Sequence, residues 1–251
     1  METLLKKAFG HLGGCAILFL ETVRYAAAPP YEIGAWIRQL HHLGVRSLSI
    51  TTITALFTGM VMALQTAYSM AAYGGKIFVG DVVSLSMVRE LGPVLPALVI
   101  SGRVGAGITA EIGSMQVTEQ VDAIRALAAS PVKKLVVPKV LATVFMLPLL
   151  TVLADFIGII GGLLMAVTQL NQTAQFYMQH VTTALGVKDI ASGLGKAVFF
   201  GIFISTIACY NGLATRGGAD GVGRATTQTV VVASISVLIS DFFLTKLFLS
   251  F

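Results

Sequence analysis

Two adjacent charged residues inside an apolar segment are the strongest candidates for chemistry in this chain. Arg89 and Glu90 follow the apolar residues 82–88 and precede Pro93 and Pro96. Within a membrane-spanning helix they would lie roughly 10–15 Å deep, where a charge must face protein, a partner or a water-filled cavity. Sequence neighbours do not face each other on a helix, so each charge needs its own partner. The pattern predicts a polar niche for an amphiphilic substrate.

The prolines next to this pair predict a kinked helix. Because proline has no N–H, the carbonyls of Arg89 and Gly92 lose their usual intrahelical donors. Free backbone carbonyls are tolerated at membrane depth where they are buried in protein or line a cavity. The alternative to a substrate niche is an interhelical ion pair, with Asp155 or Asp241 as the partner.

Motifs for other kinds of chemistry are missing from the sequence. It has no GxSxG, HExxH or paired catalytic aspartate motif, and His180 is isolated. Lys196 follows Gly195 without the earlier glycine of a phosphate-binding loop, so the chain itself is not expected to bind ATP. Cys15 and Cys209 have no metal-ligand spacing, and we expect neither a metal site nor a disulfide. We therefore expect a chain that is not an enzyme.

The composition predicts an all-α integral membrane fold. Hydrophobic residues make up 55% of the chain, charged residues only 12%, and the mean hydropathy is +0.84. The net charge of +5 is spread among apolar segments rather than on a basic face, which argues against nucleic-acid binding. A helical span needs about 20 apolar residues. Five runs fit: residues 48–68, 82–107, 136–166, 190–210 and 225–247.

The distribution of positive charge predicts the topology. If the N-terminus is cytoplasmic, 12 of the 17 lysines and arginines lie on the inner side and 4 near the outer face, with Arg89 inside a span. Cytoplasmic loops are enriched in these residues. We therefore expect a multi-pass protein with a cytoplasmic N-terminus and a C-terminus on the outer side. The first residues lack the pattern of a removable signal peptide.

The segment before the first span has the periodicity of an amphipathic helix. Ile33, Trp36, Ile37 and Leu40 recur at i, i+3, i+4 and i+7, after the break at residues 29–30. Such a helix is expected to lie in the inner headgroup layer, or alternatively to pack on a partner subunit. The chain thus divides into an N-terminal interfacial region, residues 1–46, and a five-span domain, residues 47–251.

Residues 111–131 form a polar insert between the second and third spans. Val117, Val121, Ile124 and Ala128 share one helical stripe, which predicts a helix over about residues 115–129. A short amphipathic helix of this kind can dock in a groove of a soluble partner. The alternative is a solvated helix on the membrane surface. The candidate partner contacts are Glu111, Thr118, Glu119, Gln120, Asp122 and Arg125.

Several short motifs together resemble one family, the MlaE-type permeases of Mla lipid transporters. The likeness covers most of the chain from about residue 59 and extends to Asp241. The matching motifs are Arg89-Glu90-Leu91-Gly92-Pro93-Val94, Gly102-Arg103-x-Gly105, Ala110-Glu111-x-Gly113-x-Met115, Thr118-Glu119-Gln120, Pro131, Pro138, Asn211-Gly212 and Arg224-Ala225-Thr226-Thr227.

The resemblance implies a permease subunit of an ABC transporter that moves phospholipids between the inner and outer membranes and helps maintain outer-membrane lipid asymmetry. It further implies a homodimer in the bacterial inner membrane, with an N-terminal amphipathic helix, five spans and a cytoplasmic coupling helix at residues 115–129. The implied partners are a cytoplasmic ABC ATPase, a periplasmic MCE-domain protein and a STAS-domain protein. ATP and Mg²⁺ are then expected in the ATPase, and no cofactor in this chain.

On this hypothesis, Arg89 and Glu90 polarise a lipid cavity. An ion-coupled secondary carrier of an amphiphilic substrate is the alternative, with Arg89, Glu90, Asp155 and Asp241 as a relay. Acyl chains need mainly apolar walls. The candidate lining residues are Met60, Leu64, Tyr73 and Leu91.

Overall fold

The structure is a computed structural model that describes residues 2–29, 33–71 and 75–250. All regular elements within these residues are helical, which confirms the all-α prediction. The α-helices are α1 Glu2–Ala26, α2 Ile33–Met70, α3 Val79–Ser86, α4 Gly92–Ile100, α5 Ala106–Val117, α6 Gln120–Ala126, α7 Val137–Gln169, α8 Ala174–Ala184, α9 Val187–Leu213 and α10 Gly218–Leu249.

Five helical segments of the described chain are long and apolar enough to cross a membrane, as predicted. Each contains one of the five predicted runs and extends beyond it, because a helix can continue past the hydrocarbon layer. The second segment combines α3, α4 and α5. The segments are Gly34–Met70, Val79–Val117, Val132–Gln169, Val187–Leu213 and Gly218–Phe248.

The alternating direction of these segments gives the bundle two ends. The α6 end contains the beginnings of α2, α7 and α10 and the ends of α5 and α9. The α8 end contains the end of α2, the beginning of α3 and the short helix α8. Helix α7 packs between α2 and α9, and α9 packs on α5 and α10. The main core, which includes Ile108, Leu147, Phe200 and Ile204, lies among these helices.

Glycines allow α2 and α7 to cross closely. A Cβ atom at Gly59 would collide with the carbonyl oxygen of Gly158, and one at Gly161 would collide with that of Leu56. Gly158 and Gly162 form a GxxxG pair, a pattern typical of close helix crossings. Gly158 lies at the crossing, but Gly162 faces the Tyr177 hydroxyl of α8. The crossing therefore depends on Gly59, Gly158 and Gly161.

The first membrane segment has no break at residue 46. Helix α2 runs continuously from Ile33 to Met70, so residues 33–46 are its first turns rather than a separate helix. No proline interrupts this range, and the Trp36 ring contacts Phe145 of α7 edge to face at 5.4 Å. Helix α1 is a second, peripheral helix that the periodicity analysis did not identify. The position of residues 33–46 in the headgroup layer stays a prediction.

The polar insert contains two helical pieces instead of one helix over residues 115–129. Helix α5 ends at Val117, and Glu119 adopts the left-handed region with φ of 59° before the seven-residue helix α6. A left-handed residue rotates the chain out of the preceding helix. Consequently Val121 is buried whereas Ala128, itself at φ of 55°, is exposed.

Substituting Gly59 tests the helix crossing. We expect Gly59→Ala to lower the melting temperature in detergent, because the added methyl group meets the Gly158 backbone and overpacking costs about 1–3 kcal/mol. Gly107→Ala is the matched control, because a Cβ atom there meets nothing within 4 Å. A Gly59→Ala melting temperature equal to that of the control would contradict the close crossing.

Candidate functional site

A π-helical turn directly precedes the prolines that follow Glu90. Helix α3 ends at Ser86, residues Met87–Leu91 form the π turn, and α4 begins at Gly92. The Gly92 N–H bonds the carbonyl of Met87, five residues earlier, and Pro93 offers no donor to the next carbonyls. Such π turns occur frequently at functional sites. The expected irregularity of the second span is therefore present at the charged pair.

Lys196 of α9 supplies the donor that Pro93 lacks. Its Nζ donates to the carbonyl oxygen of Arg89 at 2.9 Å and lies 2.8 Å from Oε2 of Glu90. It also lies 3.1 Å from Oδ1 of Asp241, as an ion pair without hydrogen-bond geometry. Only 2% of the Lys196 side chain is exposed. A buried ammonium needs such partners, because desolvation of an unpaired charge is very costly.

Arg89 has a different partner from Glu90. Its Nε lies 2.7 Å from Oδ1 of Asp189, while 45% of the Arg89 side chain remains exposed. Asp189 also accepts the N–H of Gly186 through Oδ2 at 2.8 Å, at the beginning of α9. As the sequence predicted, the two neighbouring charges do not neutralise each other. Arg89 points outward, and Glu90 points into the helix contacts.

A small cleft opens between these charges. Thr245 of α10 lies with its hydroxyl 3.2 Å from Oε1 of Glu90 and 2.8 Å from the carbonyl of Asp241. The cleft has a volume of about 180 Å³. Ligand pockets for drug-sized molecules are about 300–1,000 Å³, so this cleft fits a polar group but not acyl chains. Its lining residues are Arg89, Glu90, Lys188, Asp189, Ser192, Lys196, Thr245 and Phe248.

The ion-pair alternative named Asp155 or Asp241 as the partner, but Arg89 pairs with Asp189 and Glu90 pairs with Lys196. Asp241 joins the cluster through Lys196, which bridges the second, fourth and fifth spans. Asp155 instead lies against Gly92, where a Cβ atom would collide with its carboxylate. Its Oδ1 is buried without a hydrogen-bond partner among the described residues. Of the four proposed relay residues, Glu90 and Asp241 share Lys196, Arg89 pairs with Asp189, and Asp155 is in no ion pair of the described residues.

Lys196 and Asp189 were missed as site residues by the sequence analysis. One local signal could have identified Lys196. Gly193 precedes it by three residues on the same face of α9, and a Cβ atom at Gly193 would collide with the carbonyl of Val88. This pair brings the backbone of α9 against the π turn and places the lysine beside it.

The apolar lining candidates lie away from this cleft. Leu64 is exposed on α2, Met60 is half-buried on the same helix, and neither is among the cleft residues. Leu91 packs instead against the second hydrophobic cluster, which contains Val83 and Met87. Tyr73 lies outside the described residues. A role of these residues in binding acyl chains stays a prediction.

At the α6 end, most candidate partner contacts are exposed. Asp122 and Arg125 form an exposed ion pair of 2.7 Å, and Gln120 donates to the Thr118 hydroxyl at 3.0 Å. Glu119 is exposed at the left-handed position. Leu127, which the sequence analysis did not single out, is 81% exposed just after α6. This surface combines charges with one apolar side chain, as docking surfaces commonly do.

Glu111 has a different environment from the other candidates. Its Oε2 lies 2.6 Å from Nζ of Lys139, whose side chain is only 3% exposed. The pair ties α5 to α7 just behind the polar insert. Glu111 therefore connects the insert to the bundle. About half of its side chain, 51%, remains exposed.

Comparison with known proteins identifies the family. Residues 36–247 match the family model described as Permease MlaE, which covers all five candidate spans almost completely. The chain belongs to the MlaE permease family. It is thus an ABC transporter permease and a multi-pass membrane protein, as the sequence motifs indicated.

Individual relatives agree with this assignment. A probable ABC transporter permease of Rickettsia felis is 42% identical over 237 residues, 94% of this chain and 92% of the relative. The intermembrane phospholipid transport system permease protein MlaE of Haemophilus influenzae is 39% identical over 212 residues, 84% of this chain and 81% of that protein. The chloroplastic protein TRIGALACTOSYLDIACYLGLYCEROL 1 of Arabidopsis thaliana is 36% identical, covering 84% of this chain and 61% of that protein.

Replacing Lys196 tests whether it holds the cluster together. We expect Lys196→Met to lower stability strongly, because removing one partner of a buried pair costs about 3–5 kcal/mol, less here since Glu90 is half-exposed. The exposed Lys246, also near the α8 end, provides the control Lys246→Met. Thermal unfolding in detergent measures both. The double variant Lys196→Met with Glu90→Gln should recover part of the loss, and no recovery would argue against the pairing.

Proposed function

We propose that this permease is the membrane subunit of an ABC transporter that moves phospholipids between the inner and outer membranes of a bacterium. The observation that carries the proposal is the exposed guanidinium of Arg89 above a small polar cleft, in a chain 39% identical to a phospholipid transport permease. The subunit catalyses no covalent step. ATP hydrolysis belongs to a separate ATPase subunit.

Arg89 is suited to a lipid phosphate group. Asp189 contacts its Nε, and the other guanidinium nitrogens have no ion-pair partner among the described residues. Arginine binds phosphate oxygens with strong, charge-assisted hydrogen bonds. The cleft can then hold the polar head, while acyl chains remain on apolar surfaces outside it. Glu90 is held by Lys196 and supplies the negative side of the cleft.

A second copy of the chain would enclose this cleft. Helix α10 contributes Thr245 and Phe248 to the lining, while much of its neighbouring surface is exposed and apolar. Packing two copies along α10 would cover that surface and place two clefts close together. This supports a homodimer with a shared lipid cavity. The exposed apolar residues of α10 are Val231, Ile235, Leu238, Ile239, Phe242, Phe243 and Leu247.

The positive charge distribution supports a cytoplasmic α6 end and a periplasmic α8 end. An ABC ATPase would then contact the α6 surface around Glu119, Asp122 and Leu127. Movement there would reach α7 through the Glu111–Lys139 pair. The α8 end, which carries the lipid cleft, would face a periplasmic MCE-domain protein, and a STAS-domain protein would join the ATPase side.

The ion-coupled alternative has less support. Its relay needs Asp155 to contact the other charges, but Asp155 lies against Gly92, and no ion pair among the described residues joins it to Lys196, Glu90 or Asp241. In addition, the relatives of this chain include an ABC transporter permease of Rickettsia felis and the MlaE permease of Haemophilus influenzae. Transport that persists with a catalytically inactive ATPase would favour the carrier.

Replacing Arg89 tests the lipid cleft. In the complete transporter reconstituted in vesicles, we expect Arg89→Gln to reduce ATP-driven phospholipid transfer about tenfold, since a hydrogen bond to a charged group contributes about 1.5–3 kcal/mol. Arg89→Lys should retain part of the activity, and Lys246→Gln should retain all of it. Unchanged transfer and unchanged co-purifying lipid for Arg89→Gln would overturn the assignment.

Reversing a charge at the α6 end tests the ATPase contact. We expect Glu119→Lys and Asp122→Lys to weaken association of the ATPase subunit and to lower ATP-driven transfer, because charge complementarity at a docking surface is lost. The control is Asp220→Lys, an exposed acidic residue at the same end in the first turn of α10. Wild-type association and transfer by both variants would show that the ATPase binds elsewhere.

A further inference from the structure

Helix α2 carries an exposed apolar stripe that ends at a charged residue. The stripe follows one helical face from Arg46 to Tyr68, which is 88% exposed. These 22 residues correspond to about 33 Å of helix, close to the roughly 30 Å of a hydrocarbon layer. Arg46 therefore lies at headgroup depth at the α6 end. The apolar residues between them are Ile50, Ile53, Phe57, Val61 and Leu64.

A second arginine meets the stripe at the same point. Arg103 belongs to another π-helical turn, Ser101–Gly105, and its Nη1 donates to the carbonyl oxygen of Arg46. Space remains open beside it, because Cβ atoms at Gly102 and Gly107 would meet nothing within 4 Å. The family motif contains Arg103, yet neither the lipid cleft nor the ATPase surface uses it. The two arginines thus converge from different spans.

The charge at this point has no protein counterpart among the described residues. The ion pairs of that part of the chain include neither Arg46 nor Arg103. Arg46 instead lies with Nη1 2.8 Å from Nε2 of His42. Guanidinium groups bind phosphate oxygens in a fork-like geometry, and cations at headgroup depth attract anionic lipids. A phosphodiester is therefore the matching anion.

We propose that Arg46 and Arg103 bind the phosphate of an anionic phospholipid from the membrane layer at the α6 end. Its acyl chains lie along Ile50, Ile53 and Phe57. The two uncompensated positive charges select a lipid with a net negative headgroup over a zwitterionic one. Arg103 is 14 residues from Arg89, about 21 Å along the span, so this site is separate from the lipid cleft at the α8 end.

Native mass spectrometry of the purified full-length protein tests the site. The protein is titrated with phosphatidylglycerol or with phosphatidylcholine of the same acyl chains. We expect wild-type protein to retain one phosphatidylglycerol at least tenfold more strongly than phosphatidylcholine. Arg46→Gln should lose this preference. Arg38→Gln, an exposed arginine two turns earlier on α2, is the matched control and should keep it.

Further variants separate binding from folding and from transport. Arg103→Gln should also lose the preference, and Arg103→Lys, which keeps the charge, should retain part of it. If Arg103→Gln does not fold, Arg46→Gln still decides, because the interhelical bond uses only its backbone carbonyl. Arg89→Gln should keep the preference for phosphatidylglycerol over phosphatidylcholine, because Arg89 belongs to the separate cleft at the α8 end. Failure of the proposed transport function would therefore leave this result unaffected.

Three outcomes would overturn the proposal. If Arg38→Gln and Arg46→Gln lose the preference for phosphatidylglycerol equally, the lipid is attracted by surface charge in general. Equal retention of the two lipids would remove the case for an anionic headgroup. Saturable binding of inorganic phosphate alone, with displacement of phosphatidylglycerol by millimolar phosphate, would identify a free-anion site instead of a lipid site.

Discussion

Lys196 and the backbone carbonyl of Arg89 form the interaction on which the charged site depends. A proline within a membrane span leaves a carbonyl without its donor, and a lysine within another span needs partners for its charge. The Lys196 ammonium donates to the Arg89 carbonyl at 2.9 Å, which satisfies both groups. Glu90 and Asp241 supply the negative charges beside the lysine. The same contact joins three spans and leaves the Arg89 side chain facing outward. A structural constraint and an accessible cation therefore arise from one arrangement.

The two ends of the bundle carry different kinds of polar group. At the α8 end, the charges meet across helices and enclose a small cleft. At the α6 end, the charges of α6 are exposed, whereas the Glu111–Lys139 pair reaches inward. Because α5 and α7 flank the polar insert, that pair provides an ionic link from the insert to α7. Arg46 and Arg103 form a third polar region, which lies beside the exposed apolar stripe of α2.

Sequence patterns were sufficient where the physical requirement is local. Five apolar runs predicted five spans, since hydrocarbon thickness sets their length. Arg89 and Glu90 were expected to need separate partners, and the structure has Asp189 and Lys196 in those places. The insert was predicted less well. Its apolar periodicity indicated a single helix, but the left-handed Glu119 interrupts it, and nothing in that residue type signals a positive φ.

The sequence by itself determined that the solvent is a membrane, the number of spans, the family, and the charged residues whose burial within a span is energetically costly. These follow from composition, segment length and motifs, which need no knowledge of neighbours in space. Only the tertiary structure decided which charges meet. Asp241 lies within reach of Lys196 while Asp155 lies against Gly92, although both are aspartates within apolar stretches of helix. Helix rotation and close approach at glycines make that choice, because they set which faces of distant segments come into contact.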